Sequence, residues 1–421
     1  MAERALTGTA ATDRPTLLVL TVGGSPEPLK TALARFRPDE ALFIVSDGAG
    51  GTRSSADAVK ALKGCDVWPA KPRVRKVPAD GLDRAFALIE TQLAMAQERG
   101  CRVIADYTGG TKSMSGALML AAAMTGGCDL RLMTGRRRDL RQVEDGTETP
   151  VDVPAEAVGL GRVLVSVANF TRQRAYQAAL AVLPSEQAVP ASLPAAWTRR
   201  VALWRRWLTV MERWDRFDHA GALKLVDRNG GEAGPLGQAL AESGLLERLR
   251  GLAEAERRPS AALCEDLWWN AQRRADLGAY DDAVARLYRL AEAAIQARLF
   301  VNHGIDTGKV PLERLSEAFR SERPNLKPDA KTGCCQLALS DARALLAELE
   351  PASPVPGFWA NGTPEWQSRR NHSILAHGFS PLTAKDWNKA RAWFAERAGV
   401  LWRDLPGGAE ACHLPDRLPA V

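Results

Sequence analysis

The sequence is poor in the residues from which most metal and redox sites are built. Its 421 residues hold five histidines and seven cysteines (Cys65, Cys101, Cys128, Cys264, Cys334, Cys335 and Cys412), with no CxxC pair among them. No His/Cys cluster has zinc-ligand spacing, which argues against a zinc module. An odd number of scattered cysteines without a framework reads as reduced thiols of a cytoplasmic protein rather than a disulfide scaffold. Long apolar runs are also missing. The longest, Ala117 to Thr125, is too short to span a bilayer. No basic n-region leads into an apolar h-region at the N-terminus, so no signal peptide is expected. These absences point to a cytoplasmic protein with no membrane partner.

What is present is ordinary for a globular chain: 46% hydrophobic and 25% charged residues, ample for a buried core. The length suits two or three domains. The net charge of +6 is compatible with nucleic acid or nucleotide partners. Two basic clusters stand out, Lys71, Arg73, Arg75 and Lys76, then Arg136, Arg137, Arg138 and Arg141. Each reads equally well as a solvated face.

The first dozen residues are small and polar, as disordered termini are. From Thr16 a continuous β-rich run reads as a strand buried on both faces and breaks at Gly23-Gly24-Ser25. A short helix from Pro28 to Phe36 precedes a second buried strand, Ala41 to Val45, which ends in Ser46-Asp47-Gly48. Ser55 to Gly64 reads as helix, Asp66 to Val77 contains a third strand, and Leu82 to Arg99 is an amphipathic helix. Arg102 to Asp106 is the next strand, followed by a loop through Lys112, a small-residue helix from Ser115 to Thr125, and a strand from Asp129 to Thr134. Strands alternating with helices predict a doubly wound α/β domain with a Rossmann-like parallel sheet.

Two strands stop at glycine-rich turns, Gly23-Gly24-Ser25 and Thr108-Gly109-Gly110-Thr111-Lys112. Ligands of open α/β sheets bind beyond the carboxyl ends of strands. Glycines let backbone N–H groups approach phosphates, and a helix N-terminus and Lys112 favour an anion. Thr111 separates Gly110 from Lys112, so the loop is not a P-loop, and neither turn is a GxGxxG fingerprint. Tight turns that simply need glycine remain the plain alternative.

Between Leu183 and Ala196 the composition shifts, with Pro184, Pro190 and Pro194 among small residues, as in a linker. Beyond it strand signals vanish, and the second half is expected to be all-α. Segments from Trp197 to Phe217, Leu223 to Arg258 and Cys264 to Phe300 pattern as helices, with shorter ones at Leu312 to Phe319 and Ser340 to Leu349. Ser368 to His377 and Ala384 to Leu405 complete the set. Asp276 to Ala283 has the look of one tetratricopeptide turn, but no second copy follows at the repeat spacing.

Within the segment from Ser368, Arg370 and His377 lie seven residues apart, two turns of a helix, so a helix would project both from one face. Ile374 and Ala376 would then pack inward and Gly378 would stop the helix. A fixed guanidinium beside a titratable imidazole suits phosphodiester cleavage, one holding the phosphate and the other moving a proton. A charged helix face with a capping histidine is the alternative reading.

With both halves in view, the chain resembles the CRISPR-associated CARF–HEPN ribonucleases of type III systems over nearly its whole length. Asp106 to Met114 is similar to that family's signature loop. Asn270 to Ala275 with Tyr280 to Arg289 resembles the opening of its catalytic domain, and Arg370-Asn371 through His377 fits the HEPN pattern of Arg, a polar residue and a spaced His. Of the adjacent Arg369 and Arg370, only Arg370 keeps the expected spacing. The resemblance implies a CARF domain over residues 15–183, a linker over 184–196, and a helical region with the HEPN ribonuclease domain over 197–421.

It implies a cyclic-oligoadenylate-activated endoribonuclease of antiviral defence that cleaves single-stranded RNA without a metal or cofactor. The expected catalytic residues are Arg370 on the scissile phosphate, His377 as general acid/base or as orienter of the 2′-hydroxyl, and Asn371 as a hydrogen-bonding aid. His372 falls away from that face. The products would carry 2′,3′-cyclic phosphate and 5′-hydroxyl ends, and two HEPN domains would form one composite site in a homodimer. The activator would sit across a CARF dimer, met by Gly24, Ser25, Ser46, Asp47, Thr108, Gly109, Gly110, Thr111 and Lys112. Relatives with a metal-dependent nuclease in place of HEPN need an acidic pair and a lysine at a sheet edge, which the second half does not offer. Two rival readings are a non-catalytic nucleotide-sensing regulator and a nucleotide-dependent oxidoreductase or transferase. The latter lacks both the fingerprint and an acidic ribose-binding residue at the usual offset.

Overall fold

The computed structural model describes residues 14–48, 54–135, 147, 149–153, 156–255, 258–360, 362–408 and 413–419. The arginine cluster Arg136 to Arg141, the N-terminal dozen and Cys412 lie outside the described residues. The chain divides into two compact units, residues 1–165 with 189–195, and residues 166–188 with 196–421.

The first unit alternates β1 (Thr16–Thr21), α1 (Glu27–Phe36), β2 (Glu40–Ser46), α2 (Ala56–Lys60), β3 (Lys71–Val77), α3 (Leu82–Glu98), β4 (Arg102–Asp106), α4 (Lys112–Thr125) and β5 (Cys128–Thr134). A sixth strand, β6 (Thr149–Asp152), closes the edge, and α5 (Glu156–Arg172) carries the chain across the division between the units. The sheet order is β3-β2-β1-β4-β5-β6, with β1 to β5 parallel and β6 antiparallel to β5. This is the Rossmann-like sheet expected from the alternation of runs. Apolar side chains on both faces of β1, β2 and β4 explain why these strands read as continuous rather than alternating: Leu17, Val19 and Leu42 pack beneath α3 and α4. Leu18, Leu20 and Phe43 pack beneath α1 and α2.

β3 forms one edge, and its basic cluster finds a structural role there. Lys71 and Arg73 reach the carboxylate of Glu40 on the neighbouring strand, at 3.7 and 3.2 Å. Arg99 also grips Glu40 and, as the leading cause, holds its carboxyl below the ordinary value. Charges along an exposed edge discourage pairing with another chain.

The second unit is helical: α6 (Tyr176–Val182), α7 (Ala195–Asp215, from Ala196 on), α8 (His219–Arg228), α9 (Pro235–Glu242), α10 (Leu245–Glu254), α11 (Ala261–Asp276) and α12 (Tyr280–His303) come first. A two-residue ribbon pairs β7 (Val310–Pro311) with β8 (Cys334–Cys335). α13 (Glu317–Ser321), α14 (Leu339–Leu349), α15 (Glu365–Asn371) and α16 (Ala384–Ala398) complete it. α11 and α12 pack as an antiparallel pair whose alanines and leucines fill the core with Trp402 and Phe394. Trp366, Trp359, Trp393 and Phe394 form a ring cluster between α15 and α16 at centroid distances of 4.8 to 5.5 Å. No helix among the described residues is long and apolar enough to cross a membrane.

Candidate functional sites

In the first unit, β1 and β4 lie side by side while their crossovers leave in opposite directions, β1 toward β2 and β4 toward β5. That is the switch point at which open α/β sheets form a crevice. Both glycine-rich turns sit at its carboxyl edge. The Thr21 hydroxyl donates to the Gly109 carbonyl at 2.6 Å, and the Ser115 hydroxyl donates to the same oxygen at 2.6 Å. A Cβ on Gly109 would lie 2.6 Å from the Thr21 carbonyl oxygen, and Gly110 has φ of +87°. The turn therefore requires glycine at both positions. Gly109→Ala is expected to force the two loops apart and destabilise this unit by about 1–3 kcal/mol, read as a lowered thermal midpoint. An unchanged midpoint would contradict that packing.

A cavity of about 420 Å³ opens there, and Gly24, Ser46, Gly110 and Thr111 line it as the sequence led one to expect. Gly23 of the first glycine turn and Met114 of the signature loop line it too, while Ser54, Ser55 and Asp57 were not anticipated. Ser54 and Ser55 lie just before α2, a segment read as the start of a helix but not as part of a binding site. Ser55 and Ser46 bond reciprocally, each hydroxyl accepting from the other's backbone N–H at 2.9 Å.

Two expected residues turn out to be occupied by the fold. The Thr108 hydroxyl donates to Asp106 and accepts from the Met133 N–H at 2.7 Å. The Thr111 hydroxyl caps α4 by accepting from the Met114 N–H at 3.2 Å, and it donates to the Ala79 carbonyl. Both hydroxyls therefore shape the loop, and what the loop presents is backbone. Ser25, Asp47, Thr108, Gly109 and Lys112 are not among the cavity's lining residues, although each sits at the same edge, and Lys112 is the exposed first residue of α4. Asp106, at the end of β4, is 1% exposed, and its Oδ2 has no hydrogen-bond partner. Burial pushes its carboxyl above the ordinary value, against the bonds from Thr108.

In the second unit the expected helix from Ser368 to His377 is formed only as far as Asn371. α15 ends at Asn371, and residues 372–378 are a run of turns. Arg370 and His377 are therefore not two turns apart on one helix. The loop is closed by its own backbone: the His377 N–H donates to the Asn371 carbonyl at 3.1 Å, Gly378 N–H to Ser373 at 3.2 Å, and Ser380 N–H to His372 at 3.2 Å. Gly378 is no helix stop. A Cβ on it would lie 2.1 Å from the His372 carbonyl oxygen, so it serves the close approach that shuts the loop. Ile374 does not pack inward either, being 52% exposed. Its neighbour Ser373 takes the buried place.

Arg370 is held from two sides. Its guanidinium lies over the Tyr288 ring of α12 at 4.1 Å, and Nη1 donates to Asn371 Oδ1 at 3.3 Å. Its Nε is buried without a hydrogen-bond partner, a donor left unmet. The neighbouring Arg369 is committed elsewhere, to Asp386 at 3.0 Å, and Asp386 also forms the capping box of α16 with Thr383. That pairing, led by the bond from Arg369, holds the Asp386 carboxyl well below the usual carboxylate range. The loop carrying His377 is tied to α12 where the Leu382 N–H donates to the Asp281 carboxylate at 3.1 and 3.2 Å. Among the described residues, no group of three or more His, Cys, Asp or Glu side chains is placed to hold a metal ion.

Residues 253–398 match the Csm6 HEPN domain family. The match spans α11 to α16 and includes Arg370, Asn371 and His377. Among solved structures, Csm6 of Enterococcus italicus, bound to cyclic hexa-2′-fluoro-hexa-dAMP, shares the fold with a TM-score of 0.53 at 12% identity. That alignment covers 94% of this chain and 95% of that one. Can2 of Sulfobacillus thermosulfidooxidans, in complex with cyclic tetra-adenylate, aligns at 14% identity over 46% of this chain and 58% of its own, with a TM-score of 0.26. No curated protein matches the chain by sequence. The C-terminal part is thus similar to the HEPN domain of Csm6, and nearly the whole chain shares the fold of the Enterococcus italicus Csm6 structure.

Proposed function

We propose that the chain is a cyclic-oligoadenylate-activated endoribonuclease of CRISPR defence that cleaves single-stranded RNA without a metal. The observation that carries the reading is Arg370, a half-buried guanidinium with an unmet donor, placed on the segment that matches the HEPN family. RNA brings its own nucleophile, the 2′-hydroxyl. The protein has to align it with the P–O5′ bond, stabilise charge on the phosphoryl oxygens and manage two protons. Arg370, steadied by Tyr288 and Asn371, supplies fixed donors for the phosphate. His377 stands exposed on the closed loop, where an imidazole reaches substrate and can pass a proton to or from it. Asn371 orients Arg370 through its side chain and the His377 backbone through its carbonyl.

A second copy of the chain completes the site in this reading. Ile374, Leu375 and Phe379 on the motif loop are 52%, 53% and 90% exposed, an apolar group that one chain leaves in water. The β1–β4 crevice, with its glycine turns and the N-terminus of α4, supplies the sensor for the ring's phosphates. The ring acts through its own preference for the active pairing of the helical units.

The test is end analysis of RNA cut in excess EDTA with cyclic tetra- or hexa-adenylate present. The expected products carry 2′,3′-cyclic phosphates, and cleavage abolished by EDTA contradicts the metal-free mechanism. Gly378→Ala is expected to open the His377 loop and lower the cleavage rate by about a hundredfold, since small misplacements of catalytic groups carry such effects. A Gly378→Ala enzyme cutting at the parent rate would show that the loop closure does not position His377.

A further inference from the structure

The helical unit encloses a second cavity, of about 770 Å³, which shares no lining residue with the Arg370 site. Its walls come from the end of α7, the start of α8, α10, α11 and α12. The floor is apolar, with Leu252, Leu263 and Leu267, while Arg216, Arg258, Arg286 and Arg289 line it against one carboxylate, Asp218. Asp218 is already engaged, accepting from the Gly221 N–H at 3.1 Å as the cap of α8.

Phe217 marks the cavity as a built feature. Its φ is +61°, the left-handed region in which a bulky side chain is strained. It occupies the position after a helix that glycine usually fills: the Phe217 N–H donates to Trp214 at 2.8 Å and the Asp218 N–H to Arg213 at 2.9 Å. The sequence accepts that strain and thereby sets an aromatic ring in the cavity wall, edge to face with His219 at 6.0 Å. His219 is locked in turn by Asp266 at 3.0 Å, which also accepts from Trp214 Nε1 at 3.1 Å.

The cations are anchored as well. Arg286 uses Nε on Asn270 and Nη1 on Asp282, leaving Nη2 without a protein partner among the described residues. Arg289 is steadied by Glu292 at 3.3 Å and Gln296 at 2.9 Å. Fixed guanidiniums beside an aromatic ring and an apolar floor recognise a flat apolar body joined to an anion. A volume of several hundred Å³ is the size of a small-ligand pocket.

We propose that this cavity binds one nucleotide, its base against Phe217 and the leucine floor and its phosphate between Arg286 and Arg289. The proposal stands apart from the ribonuclease reading. The nucleotide comes from a free mononucleotide or from one residue of an RNA strand.

The test is calorimetric titration of the full-length chain, carrying His377→Ala so that RNA stays intact, with AMP, adenosine and a five-nucleotide RNA. Phe217→Gly relieves the left-handed strain and so retains the fold while deleting the ring, and Arg289→Ala deletes one cation. The expected result is that each variant weakens the nucleotide ligand by about tenfold or more, and that adenosine binds about tenfold more weakly than AMP. Loss confined to RNA assigns the cavity to the strand. Loss confined to AMP assigns it to the free nucleotide. Affinities for AMP and RNA that neither variant changes, or no binding of either by the parent, overturn the proposal.

Discussion

His377→Ala is expected to lower RNA cleavage by about a thousandfold or more while leaving activator binding unchanged. General acid–base catalysis alone contributes about a hundred- to ten-thousandfold, and the exposed loop offers no second imidazole with the same backbone tether. His372 is adjacent in sequence, but its Nδ1 is 2.8 Å from the Ser368 carbonyl. Because residues 372–378 are held by backbone hydrogen bonds, the alanine variant keeps the loop, and the loss is chemical rather than structural. Arg370→Ala should lose as much activity, and Arg370→Lys should recover little of it. An ammonium replaces neither the stacking on Tyr288 nor the planar fork that bonds Asn371 and leaves donors for a phosphate. Single-turnover cleavage beside equilibrium activator binding separates the two effects. A His377→Ala chain that cuts within a few-fold of the parent would remove His377 from the chemistry.

The second large effect concerns stability. Asp215, at the end of α7, is 8% exposed and takes Arg273 Nε at 2.7 Å, Asn270 Nδ2 at 3.0 Å and the guanidinium of Arg274. Arg273 is itself 4% exposed, and its Nη2 has no hydrogen-bond partner. Burial already pulls the Arg274 guanidinium below its ordinary value. Asp215→Ala takes the nearest carboxylate from buried Arg273 and half-buried Arg274, leaving only Asp266 at 3.9 Å and Asp282 at 4.0 Å, so unfolding should become easier by about 3 kcal/mol. Asp215→Asn keeps the shape and one acceptor and should cost less. Urea unfolding followed by tryptophan emission reads this directly, since Trp214 sits beside the cluster. A midpoint within error of the parent for Asp215→Ala would mean that solvent or a rearranged partner neutralises Arg273 and Arg274.

Much of the first unit was legible because its strands are buried on both faces, so that the run from Thr16 and the run Ala41 to Val45 read as continuous rather than alternating. β6 was not foreseen: four residues containing a proline, antiparallel at an edge, carry no periodic signal. The crevice was half legible. Glycine turns announce themselves because only glycine fits the close approach of Gly109 to Thr21, whereas Ser54 and Ser55, just before α2, reach the cavity through folding alone.

The Arg370–His377 spacing was read as helix, and the helix stops at Asn371. Nothing local to the sequence shows that Ser373 buries itself or that Gly378 is pressed against His372. Arg369 pairs with Asp386, a contact seventeen residues away that spacing cannot reveal. Phe217 is the least legible of all, since a left-handed phenylalanine defies the expectation of glycine at a helix end.

The central claim is that ring binding in one unit switches on RNA cleavage at Arg370 and His377 in the other. Its most direct measurement is the rate of cutting of a fluorogenic RNA by the full-length chain, with no ring, cyclic tetra-adenylate or cyclic hexa-adenylate, beside His377→Ala. The account predicts cutting with one ring only, and none by the variant with that ring bound. Silence with both rings, or equal cutting by the variant, would contradict it.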